Sequence, residues 1–568
     1  MPPESQDGVL STLSPAAAKA AASKVATPGA APASASASGH HGSSAAAAAA
    51  AAASAAMHKL LATAAPKSVL SLPPPVGSVL DLVGNTPILK VSDKFDTGCC
   101  ELFLKLESQN PGGSIKDRIA LSMVAAAEAE GRLRTGGRIF EATAGNTGLA
   151  LALVAARRGY RLTVVVPDKM SDEKIASLRG MGAEVVLTRS DVVKGHPDYY
   201  QDLAARLARE AEAATGEPVL YIDQFNNPAN PAAHFAGTGP EIWAQLGGRV
   251  DAFVAGVGSG GTLAGAGAFL KSVNPNVDLV LADPVGSVLA PLVESGSCGK
   301  AGSWLVEGIG EDFVPSVLDL SLVTRAYSIT DAEAFAAARE LLRSEGVLAG
   351  GSAGALLAAA LKYCREQTVP KRVVTIVCDS GARYLSKQFN DFWMREQGLH
   401  PRPATGDVRD LIARRHLEGE DVWVTPELPV DQAIRRMRAH GISQMAVLAE
   451  PDGADAPAVD GGSANGGAAG GAAPAAAGGV EAARVVGIID ESDLLLALLR
   501  DGPGATARPV SRYMEPRVET VAPTAAPAEL LPVLRAGRVA VVAGPGGAPF
   551  YGLITNIDLI NYLRARVD

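Results

Sequence analysis

A lysine that closely follows paired glycines is the feature that most constrains this chain. Asn110 to Arg118 reads N-P-G-G-S-I-K-D-R and runs directly into an alanine-rich segment, Ile119 to Ala129, of helical composition. The first residues predict a turn, Ser114 predicts a helix N-cap, and the first helical turn offers unpaired N–H groups that can face an anion. Burial and a cationic neighbourhood would disfavour the ammonium form of Lys116, so its free amine can form a Schiff base with an aldehyde.

Two further glycine-rich turns each follow an apolar, strand-like run. T-A-G-N-T-G (Thr143 to Gly148) follows Arg138 to Ala142, and G-V-G-S-G-G-T (Gly256 to Thr262) follows Val250 to Ala255. A strand, a glycine turn and a helix are how α/β folds present backbone N–H groups to phosphates and carboxylates. Either turn alone could be a plain tight turn, but three in one chain predict a site for an anionic ligand.

Short β-branched runs alternate with alanine- and leucine-rich helical runs between Val79 and Tyr384. Arg161 to Val166 precedes Glu173 to Arg179, and Glu184 to Thr188 precedes Tyr199 to Ala214. The alternation predicts parallel α/β units, in which ligands bind at the carboxyl ends of the strands. We therefore expect one α/β catalytic unit.

Five motifs occur in the order found in fold-type II pyridoxal-phosphate enzymes. They are N-P-G-G-S-I-K-D-R, T-A-G-N-T-G, G-S-G-G-T, E-G-I-G-E-D-F (Glu307 to Phe313) and D-S-G-A-R-Y-L-S-K (Asp379 to Lys387). From Ser78 to Gln397 the chain resembles the cystathionine β-synthases of that group. The resemblance implies a catalytic core of the tryptophan synthase β-like type at residues 72–400, with parallel sheets and pyridoxal 5′-phosphate as cofactor.

The motif matches imply the residues that bind the cofactor. Lys116 would hold it through the Schiff base and later move protons, Asn146 would hydrogen-bond the ring hydroxyl oxygen, and Ser380 would face the pyridine nitrogen. A neutral hydroxyl at that nitrogen favours prompt loss of the β-substituent over build-up of a carbanion. Backbone donors and one hydroxyl of the third turn would cradle the phosphate: Gly258, Ser259, Gly260, Gly261 and Thr262.

The resemblance also implies how the amino-acid carboxylate is bound. Thr143, Ala144 and Thr147 of the second turn would grip it, together with Gln224. Ala144 stands where the family usually has serine, and Phe225 stands where it usually has tyrosine. Loss of one donor to a carboxylate costs roughly 1.5 to 3 kcal/mol if nothing replaces it, so we expect an effect on substrate affinity and not on reaction type.

An acidic loop bears on the second substrate. Glu307 and Gly308 begin an E-G-I-G-x-D-F pattern. Cysteine synthases lack this pattern, because they have uncharged residues at its first and sixth positions. A homocysteine ammonium would favour such acids. The alternative is a solvated acidic loop. Glu311 stands where the animal and yeast enzymes have tyrosine.

Beyond Leu399 the pattern changes and the chain repeats itself. V-V-G-I-I-D-E-S-D-L-L (Val485 to Leu495) is echoed by F-Y-G-L-I-T-N-I-D-L-I (Phe550 to Ile560), each being a strand, a polar turn and a helix start. Two β-α-β-β-α units of this kind, at residues 401–568, resemble a tandem pair of the regulatory modules called CBS domains. A Gly/Ala insertion at about 452–479 should form a flexible loop in the first unit.

A ligand of these modules is implied by short matches. Thr555 and Asp558 match the T-x-x-D with which such modules hold a ribose, and Asp490 and Asp493 are the weaker equivalent in the first unit. S-adenosylmethionine or an adenine nucleotide is the expected ligand. Many such modules bind nothing and only pair subunits, and that alternative stays open.

Composition bounds the rest of the chain. Residues 1–71 are mostly Ala, Ser, Pro and Gly, have too little large apolar surface for a core, and are expected to be disordered. They lack arginine and a secretory apolar core, so neither a signal peptide nor a transit peptide is well supported, although their shortage of acids leaves organelle import open. No apolar run is long enough to span a bilayer, and we expect a cytoplasmic protein.

Charge and cysteine usage exclude further classes. The net charge of −9 is mild and not clustered, which argues against a nucleic-acid partner. The five cysteines form no C-x-x-C and no metal-ligand spacing, so we expect reduced thiols and no metal. The animal members of the resembled group hold a haem with a cysteine and a histidine upstream of the core. Here no cysteine precedes Cys99, and His40, His41 and His58 lie in the low-complexity segment, so we predict no haem.

The function implied is a β-replacement that condenses L-serine with L-homocysteine to cystathionine and water, in a homodimer or tetramer, with hydrogen sulfide as a product when cysteine is used. The runner-up is a cysteine synthase that uses O-acetylserine and sulfide. A serine dehydratase and a non-catalytic adenosyl-nucleotide sensor are further alternatives.

Overall fold

The structure is a computed structural model that describes residues 75–143, 145–168, 170, 172–192, 195–400, 404–449 and 483–564. The predicted low-complexity segment at 1–71, the predicted insertion at about 452–479 and Ala144 lie outside these residues. The strands are β1 (Ile88–Lys90), β2 (Glu101–Lys105), β3 (Arg138–Ala142), β4 (Arg161–Pro167), β5 (Glu184–Thr188), β6 (Val219–Tyr221), β7 (Ala252–Gly256), β8 (Asp278–Pro284), β9 (Arg325–Ile329), β10 (Arg372–Ile376), β11 (Trp423–Val424), β12 (Gln444–Ala449), β13 (Arg484–Asp490), β14 (Thr520–Val521), β15 (Ala540–Ala543) and β16 (Phe550–Ile554).

The α-helices connect these strands, and several short 3₁₀ turns join them. They are α1 (Lys116–Ala129), α2 (Asn146–Arg158), α3 (Asp172–Gly180), α4 (Tyr200–Thr215), α5 (Ala229–Ala233), α6 (Gly239–Gln245), α7 (Gly261–Val273), α8 (Leu289–Ser295), α9 (Asp331–Glu345), α10 (Gly351–Arg365), α11 (Asp391–Glu396), α12 (Val430–His440), α13 (Glu491–Asp501), α14 (Leu531–Arg535) and α15 (Asn556–Arg564). A π-helical turn, His234–Thr238, lies between α5 and α6. Among the described residues, no helix is both long enough and apolar enough to cross a membrane.

Two largely parallel sheets organise the region between β1 and β10. The smaller has the strand order β5-β4-β3-β6 and the larger β1-β2-β10-β7-β8-β9, in which only the β1–β2 pair is antiparallel. Because both faces of such sheets are covered by helices, their strands are near-continuous apolar runs, as in Leu162 to Val166. The predicted α/β class with parallel sheets is confirmed.

Small residues let the helices of the larger layer approach closely. A Cβ on Gly265 of α7 would lie 2.0 Å from the carbonyl oxygen of Pro231, and one on Gly354 of α10 would lie 2.0 Å from that of Ala334. The alanine- and glycine-rich composition of α7 and α10 is therefore a packing requirement at these crossings. These two helices begin at the edge of the sheet where the glycine turns lie.

A buried charge network anchors the first turn of α1. Arg118 donates to Glu107 at 2.7 and 2.8 Å and to Glu241 of α6 at 2.7 Å through each of two nitrogens. Lys105, fully buried at the end of β2, donates to Glu241 at 2.7 Å. Bidentate pairing of this kind is strong and directional, so it fixes the helix that begins at Lys116.

The region after residue 404 contains two small sheets, β11-β12-β13 and β14-β15-β16. Each has one parallel and one antiparallel strand pair, and each unit follows the order β-α-β-β-α. That element order agrees with the two repeats expected from the sequence. Their identity as a CBS-domain pair and the domain boundaries remain predictions.

Candidate active site

The glycine turns converge on one pocket with an empty volume of about 500 Å³. It lies at the carboxyl ends of β7 and β10, where parallel sheets present their ligand sites. Its lining residues are Ile115, Lys116, Asn146, Ala255, Gly256, Gly258, Ser259, Gly260, Thr262, Gly308, Ile309, Ser352, Leu356, Ile376 and Cys378. The predicted cofactor residues except Gly261 and Ser380 are therefore brought together.

Lys116 is the first residue of α1 and points its amine into this pocket. Burial lowers the pKa of the amine, and the nearby charge of Lys174 acts in the same direction, whereas Cys378 and Asp379 oppose the shift. A lowered pKa increases the fraction of free amine, which is the form that attacks a carbonyl and accepts a proton. This agrees with the physical argument made from the sequence.

The third glycine turn forms a cradle that only glycine allows. A Cβ on Gly261 would lie 1.8 Å from Asn230 Oδ1, and one on Gly258 would lie 2.6 Å from the carbonyl oxygen of Gly308. Gly260 has φ +86°, a left-handed conformation that other residues rarely adopt. The turn thus directs the N–H groups at the start of α7 toward the pocket, as an anion site requires.

Two residues behind this cradle were not identified from the sequence. Asn230 Nδ2 donates to Ser259 Oγ at 2.9 Å, while the His234 ring lies 3.3 Å from Thr262 Oγ1 and 2.9 Å from Thr238 Oγ1. Burial holds the pKa of His234 well below its usual range, so the ring is neutral. Neither residue lies in a recognisable motif, and only the tertiary contact reveals them.

Asn146 lies opposite, at the start of α2. Its Nδ2 donates to Asp379 Oδ2 at 2.7 Å, and its Oδ1 accepts a hydrogen bond from Arg383. Tyr384 also donates to Asp379 Oδ2, at 2.6 Å, whereas Asp379 Oδ1 has no partner within the described residues. The D-S-G-A-R-Y motif therefore orients the asparagine amide at the pocket wall.

The structure does not bring Ser380 to the pocket. Its hydroxyl accepts a hydrogen bond from the N–H of Ala382 at 3.3 Å and caps the short 3₁₀ turn Gly381–Tyr384. Ser352, in the first turn of α10, lines the pocket instead, as does Cys378. Of the two serines, Ser352 is the one that lines the pocket, whereas a cofactor-binding role for Ser380 stays a prediction.

The second glycine turn is held by its own threonine. Thr143 Oγ1 accepts from the N–H groups of Gly145 at 3.1 Å and Gly148 at 3.3 Å. Thr147 Oγ1 donates to Gln224 Oε1 at 2.7 Å, so these two predicted carboxylate ligands contact each other. Ala144 lies outside the described residues.

The acidic loop is not a solvated loop at its first residue. The Glu307 side chain is 8% exposed, and its two oxygens accept from Lys174 and Lys387, each at 2.6 Å. These ammonium groups lower the pKa of Glu307 against the opposing effect of burial. Gly308 lines the pocket with φ +88°. The acid is therefore paired with two cations of this chain, which the sequence did not indicate.

The residues predicted to bind a nucleotide act as helix caps in the structure. Asp558 Oδ2 accepts from the N–H and hydroxyl of Thr555 at 2.7 and 2.6 Å. Asp490 and Asp493 form a reciprocal capping box at the start of α13. A second pocket, with an empty volume of about 470 Å³, is lined by Thr405, Arg409, Ile412, Arg415, Leu417, Glu418 and Tyr551 and includes none of the four.

The residues around the first pocket fit pyridoxal phosphate. A buried amine with a lowered pKa, a glycine cradle at a helix N-terminus and a neutral hydroxyl, Ser352, are the groups such a cofactor needs. The described part of the chain contains no group of three or more His, Cys, Asp or Glu side chains placed to hold a metal ion. The fold and the site thus define a fold-type II pyridoxal-phosphate enzyme.

Comparisons with known proteins agree. Residues 79–379 match the family model described as pyridoxal-phosphate dependent enzyme. The cystathionine β-synthase of Apis mellifera is 42% identical over 323 residues, 56% of this chain and 63% of that protein. That of Oryctolagus cuniculus is 39% identical over 385 residues, 66% of this chain and 68% of that protein. The matched part thus spans less than two thirds of the Apis mellifera protein.

Solved structures give the same fold. A crystal structure of an O-ureido-L-serine synthase is 35% identical, has a TM-score of 0.51, and covers 57% of this chain and 100% of that chain. An O-acetylserine dependent cystathionine β-synthase from Helicobacter pylori is 36% identical, has a TM-score of 0.50, and covers 56% of this chain and 99% of that chain. This chain belongs to the family of pyridoxal-phosphate dependent enzymes.

Proposed function

We propose that the chain catalyses a pyridoxal-phosphate-dependent β-replacement that condenses L-serine with L-homocysteine to cystathionine and water. The observation that carries the proposal is the buried Lys116 amine, with a lowered pKa, in one pocket with the Gly258 to Thr262 cradle. The curated relatives named cystathionine β-synthase support this choice among the reactions of the family.

Each residue has a proposed role in that reaction. Bound pyridoxal phosphate supplies an electron sink for the negative charge that develops at the substrate α-carbon. The Lys116 amine holds the cofactor and then accepts the α-proton, and its lowered pKa increases the fraction of free amine that can do so. Asn146 orients the ring, and Ser352, in place of Ser380, presents a neutral hydroxyl to the ring nitrogen. Backbone N–H groups and the Thr262 hydroxyl hold the phosphate.

The substrate end is assigned to the second glycine turn. Thr143 accepts two backbone hydrogen bonds, so its own hydroxyl proton can be donated to the α-carboxylate. The N–H groups at the start of α2 add the favourable helix-terminal charge. Gln224 supports this turn through Thr147.

The Glu307 cluster supports a charged second substrate. Two ammonium groups surround one carboxylate at 2.6 Å each, beside the pocket-lining Gly308. An amino-acid thiol can exchange its ammonium and carboxylate with such a cluster, whereas sulfide gains little from it. This favours homocysteine over sulfide as the nucleophile.

A second candidate function differs from the first in the leaving group of the amino-acid substrate. The Helicobacter pylori structure is named as O-acetylserine dependent, so O-acetylserine in place of serine is the alternative first substrate. A cysteine synthase using O-acetylserine and sulfide is the corresponding alternative function. The test is turnover of purified protein, with saturating cofactor, for serine or O-acetylserine combined with homocysteine or sulfide, read by mass spectrometry. Faster cystathionine formation from serine supports the proposal, and faster cysteine formation from O-acetylserine and sulfide contradicts it.

Regulation and assembly are part of the proposal. We assign residues 401–568 to a tandem CBS-domain pair that binds S-adenosylmethionine or an adenine nucleotide, and the catalytic domain to residues 72–400 of a cytoplasmic homodimer or tetramer. The two β-α-β-β-α units support this assignment. Calorimetric titration of the purified chain with S-adenosylmethionine, ATP and AMP tests it. If none of the three compounds gives a heat of binding, the two units would be assigned only to the pairing of subunits.

A further inference from the structure

Glu141 is a buried carboxyl that none of the steps above uses. It lies on β3 of the smaller sheet and is 1% exposed. Its Oε2 lies 3.0 Å from the backbone nitrogen of Asp223, and its Oε1 lies 2.9 Å from Gln224 Nε2. Gln224 Oε1 in turn lies 2.7 Å from Thr147 Oγ1. Three polar side chains therefore form one line from the sheet interior to the turn assigned to the substrate carboxylate.

The donor-to-acceptor direction of the hydrogen bonds along this line depends on whether Glu141 is protonated. When Glu141 is ionised, the Gln224 amide donates to it and the Thr147 hydroxyl donates to Gln224, so the only Thr147 proton points away from the substrate. When Glu141 is protonated, its O–H needs an acceptor. Rotating the Gln224 amide by 180° supplies that acceptor and turns its N–H toward Thr147, which frees the Thr147 proton.

The two arrangements keep the same positions of carbon, nitrogen and oxygen atoms apart from the exchanged amide ends. Asp223 continues to donate its N–H to Oε2 in both. The rotated amide loses the 3.3 Å hydrogen bond from Gln224 to the carbonyl of Ala142 and brings its own carbonyl oxygen to that position instead, a cost that the new hydrogen bond from protonated Glu141 offsets. The exchange thus needs no movement of β3 or α2.

The surroundings favour the protonated form near neutral pH. Burial raises the pKa of Glu141 to about 8, and the nearby Asp223 carboxylate adds to the shift. Tyr200 of α4 and Tyr221 of β6 also face Glu141, and it contributes to their raised pKa values. Hydrogen bonds from Asp223 and Gln224 act in the opposite direction.

We propose that Glu141 is a positioning residue whose protonation, transmitted by the orientation of the Gln224 amide, determines whether the Thr147 hydroxyl can donate to the α-carboxylate of the amino-acid substrate. The inference rests on the proposed function only in placing an α-carboxylate at the Thr143 to Gly148 turn. It holds for serine and O-acetylserine alike.

The test is the affinity of the cofactor-loaded protein for L-alanine, which has the α-carboxylate but no leaving group. The dissociation constant is read from the absorbance of the bound cofactor at pH 7 and pH 9. In Glu141→Gln, the introduced amide accepts from the Asp223 N–H and donates to Gln224, so the line stays in the protonated arrangement. Dividing the dissociation constant of the native protein by that of the variant cancels the titration of alanine itself. This ratio is expected to rise about tenfold from pH 7 to pH 9, because the neutral fraction of Glu141 falls about tenfold across a pKa of about 8.

Two further variants keep the test decisive. Glu184→Gln makes the same chemical change on β5 of the same sheet, at an exposed site paired with Arg138, and should keep the native pH dependence. Thr147→Val should weaken alanine binding at pH 7 and remove the additional loss at pH 9. The proposal would be overturned if the ratio of the native to the Glu141→Gln dissociation constant were the same at pH 7 and pH 9. It would also be overturned if Thr147→Val kept the native pH dependence of alanine binding. Absent cystathionine formation would count against the proposed function and leave this result intact.

Discussion

Lys174 and Glu307 form a 2.6 Å ion pair that joins the two layers of the catalytic region. Lys174 lies on α3 beside the smaller sheet, 2% exposed, and its ammonium lies 4.5 Å from the centre of the Tyr384 ring. Glu307 belongs to the loop between α8 and β9 of the larger layer. The Lys174 side chain packs against Gly145, and Glu307 directly precedes the pocket-lining Gly308.

Removing this acid should destabilise the fold. Glu307→Gln leaves the buried Lys174 without its carboxylate partner, which typically costs about 3 to 5 kcal/mol. We expect the free energy of unfolding in urea to fall by that amount. Glu101→Gln is the matched control, since Glu101 also pairs with two cations, Lys90 and Arg372, but at largely solvent-accessible positions, and should lose less than about 1 kcal/mol. Equal losses for both variants would show that Glu307 is not held as described.

Lys116→Ala should abolish both the visible absorbance of the lysine-bound cofactor and turnover, because no other amine lines the described pocket. Lys271→Ala, which changes an exposed lysine at the end of α7, should retain both. Measurement is by absorbance after incubation with excess pyridoxal phosphate, followed by gel filtration. Retained turnover in Lys116→Ala would remove its assignment.

The roles of Ser352 and Ser380 can be distinguished by measuring the affinity for the cofactor. Ser352→Ala removes a hydroxyl from the pocket and should weaken pyridoxal phosphate binding by about 1 kcal/mol, roughly fivefold. Ser380→Ala removes a helix cap, which should lower the unfolding free energy by about 1 kcal/mol and leave cofactor affinity unchanged. Fluorescence titration of cofactor-free protein measures the affinity. The reverse outcome would restore the assignment made from the sequence.

Acid stability should depend on Glu241. Its pairing with Arg118 and Lys105 lowers its pKa to about 2 against the effect of burial, while the unfolded value is about 4.3. The stabilisation is therefore fully present above the unfolded pKa and is lost as pH falls toward 2. Between pH 5 and pH 3 the native protein should lose about 1.5 kcal/mol more unfolding free energy than Glu241→Gln. Parallel losses in urea titrations at the two pH values would contradict this.

The local part of the site could be predicted from the sequence. Lys116 and the turn at Gly258 to Thr262 were identifiable because a glycine cradle and a helix start impose residue types on consecutive positions. Ser352 was missed because G-G-S-A-G at the start of α10 has the composition of an ordinary helix start. Its place at the pocket arises only from the packing of α10 beside β7 and β10. Lys174 was missed for the same reason, since its partner Glu307 is 133 residues away.

The fold class was predictable for a related reason, and the strand order was not. Alternating apolar and helical runs specify parallel units locally, but nothing in Glu101 to Lys105 indicates that this strand pairs with Arg372 to Ile376. The repeat at Val485 and Phe550 gave the β-α-β-β-α order of the last two units. Their ligand, if they bind one, was not determined by that order.

The strand order has a consequence for synthesis on the ribosome. The smaller sheet uses only residues between Arg138 and Tyr221, so all its strands are available once that stretch has emerged. In the larger sheet one edge of β2 pairs with the nearby β1, whereas its other edge waits for β10, a separation of more than 260 residues that must close before those backbone groups are paired. Glu101 to Lys105 thus has one unpaired edge for most of translation, and that edge is where a chaperone would act.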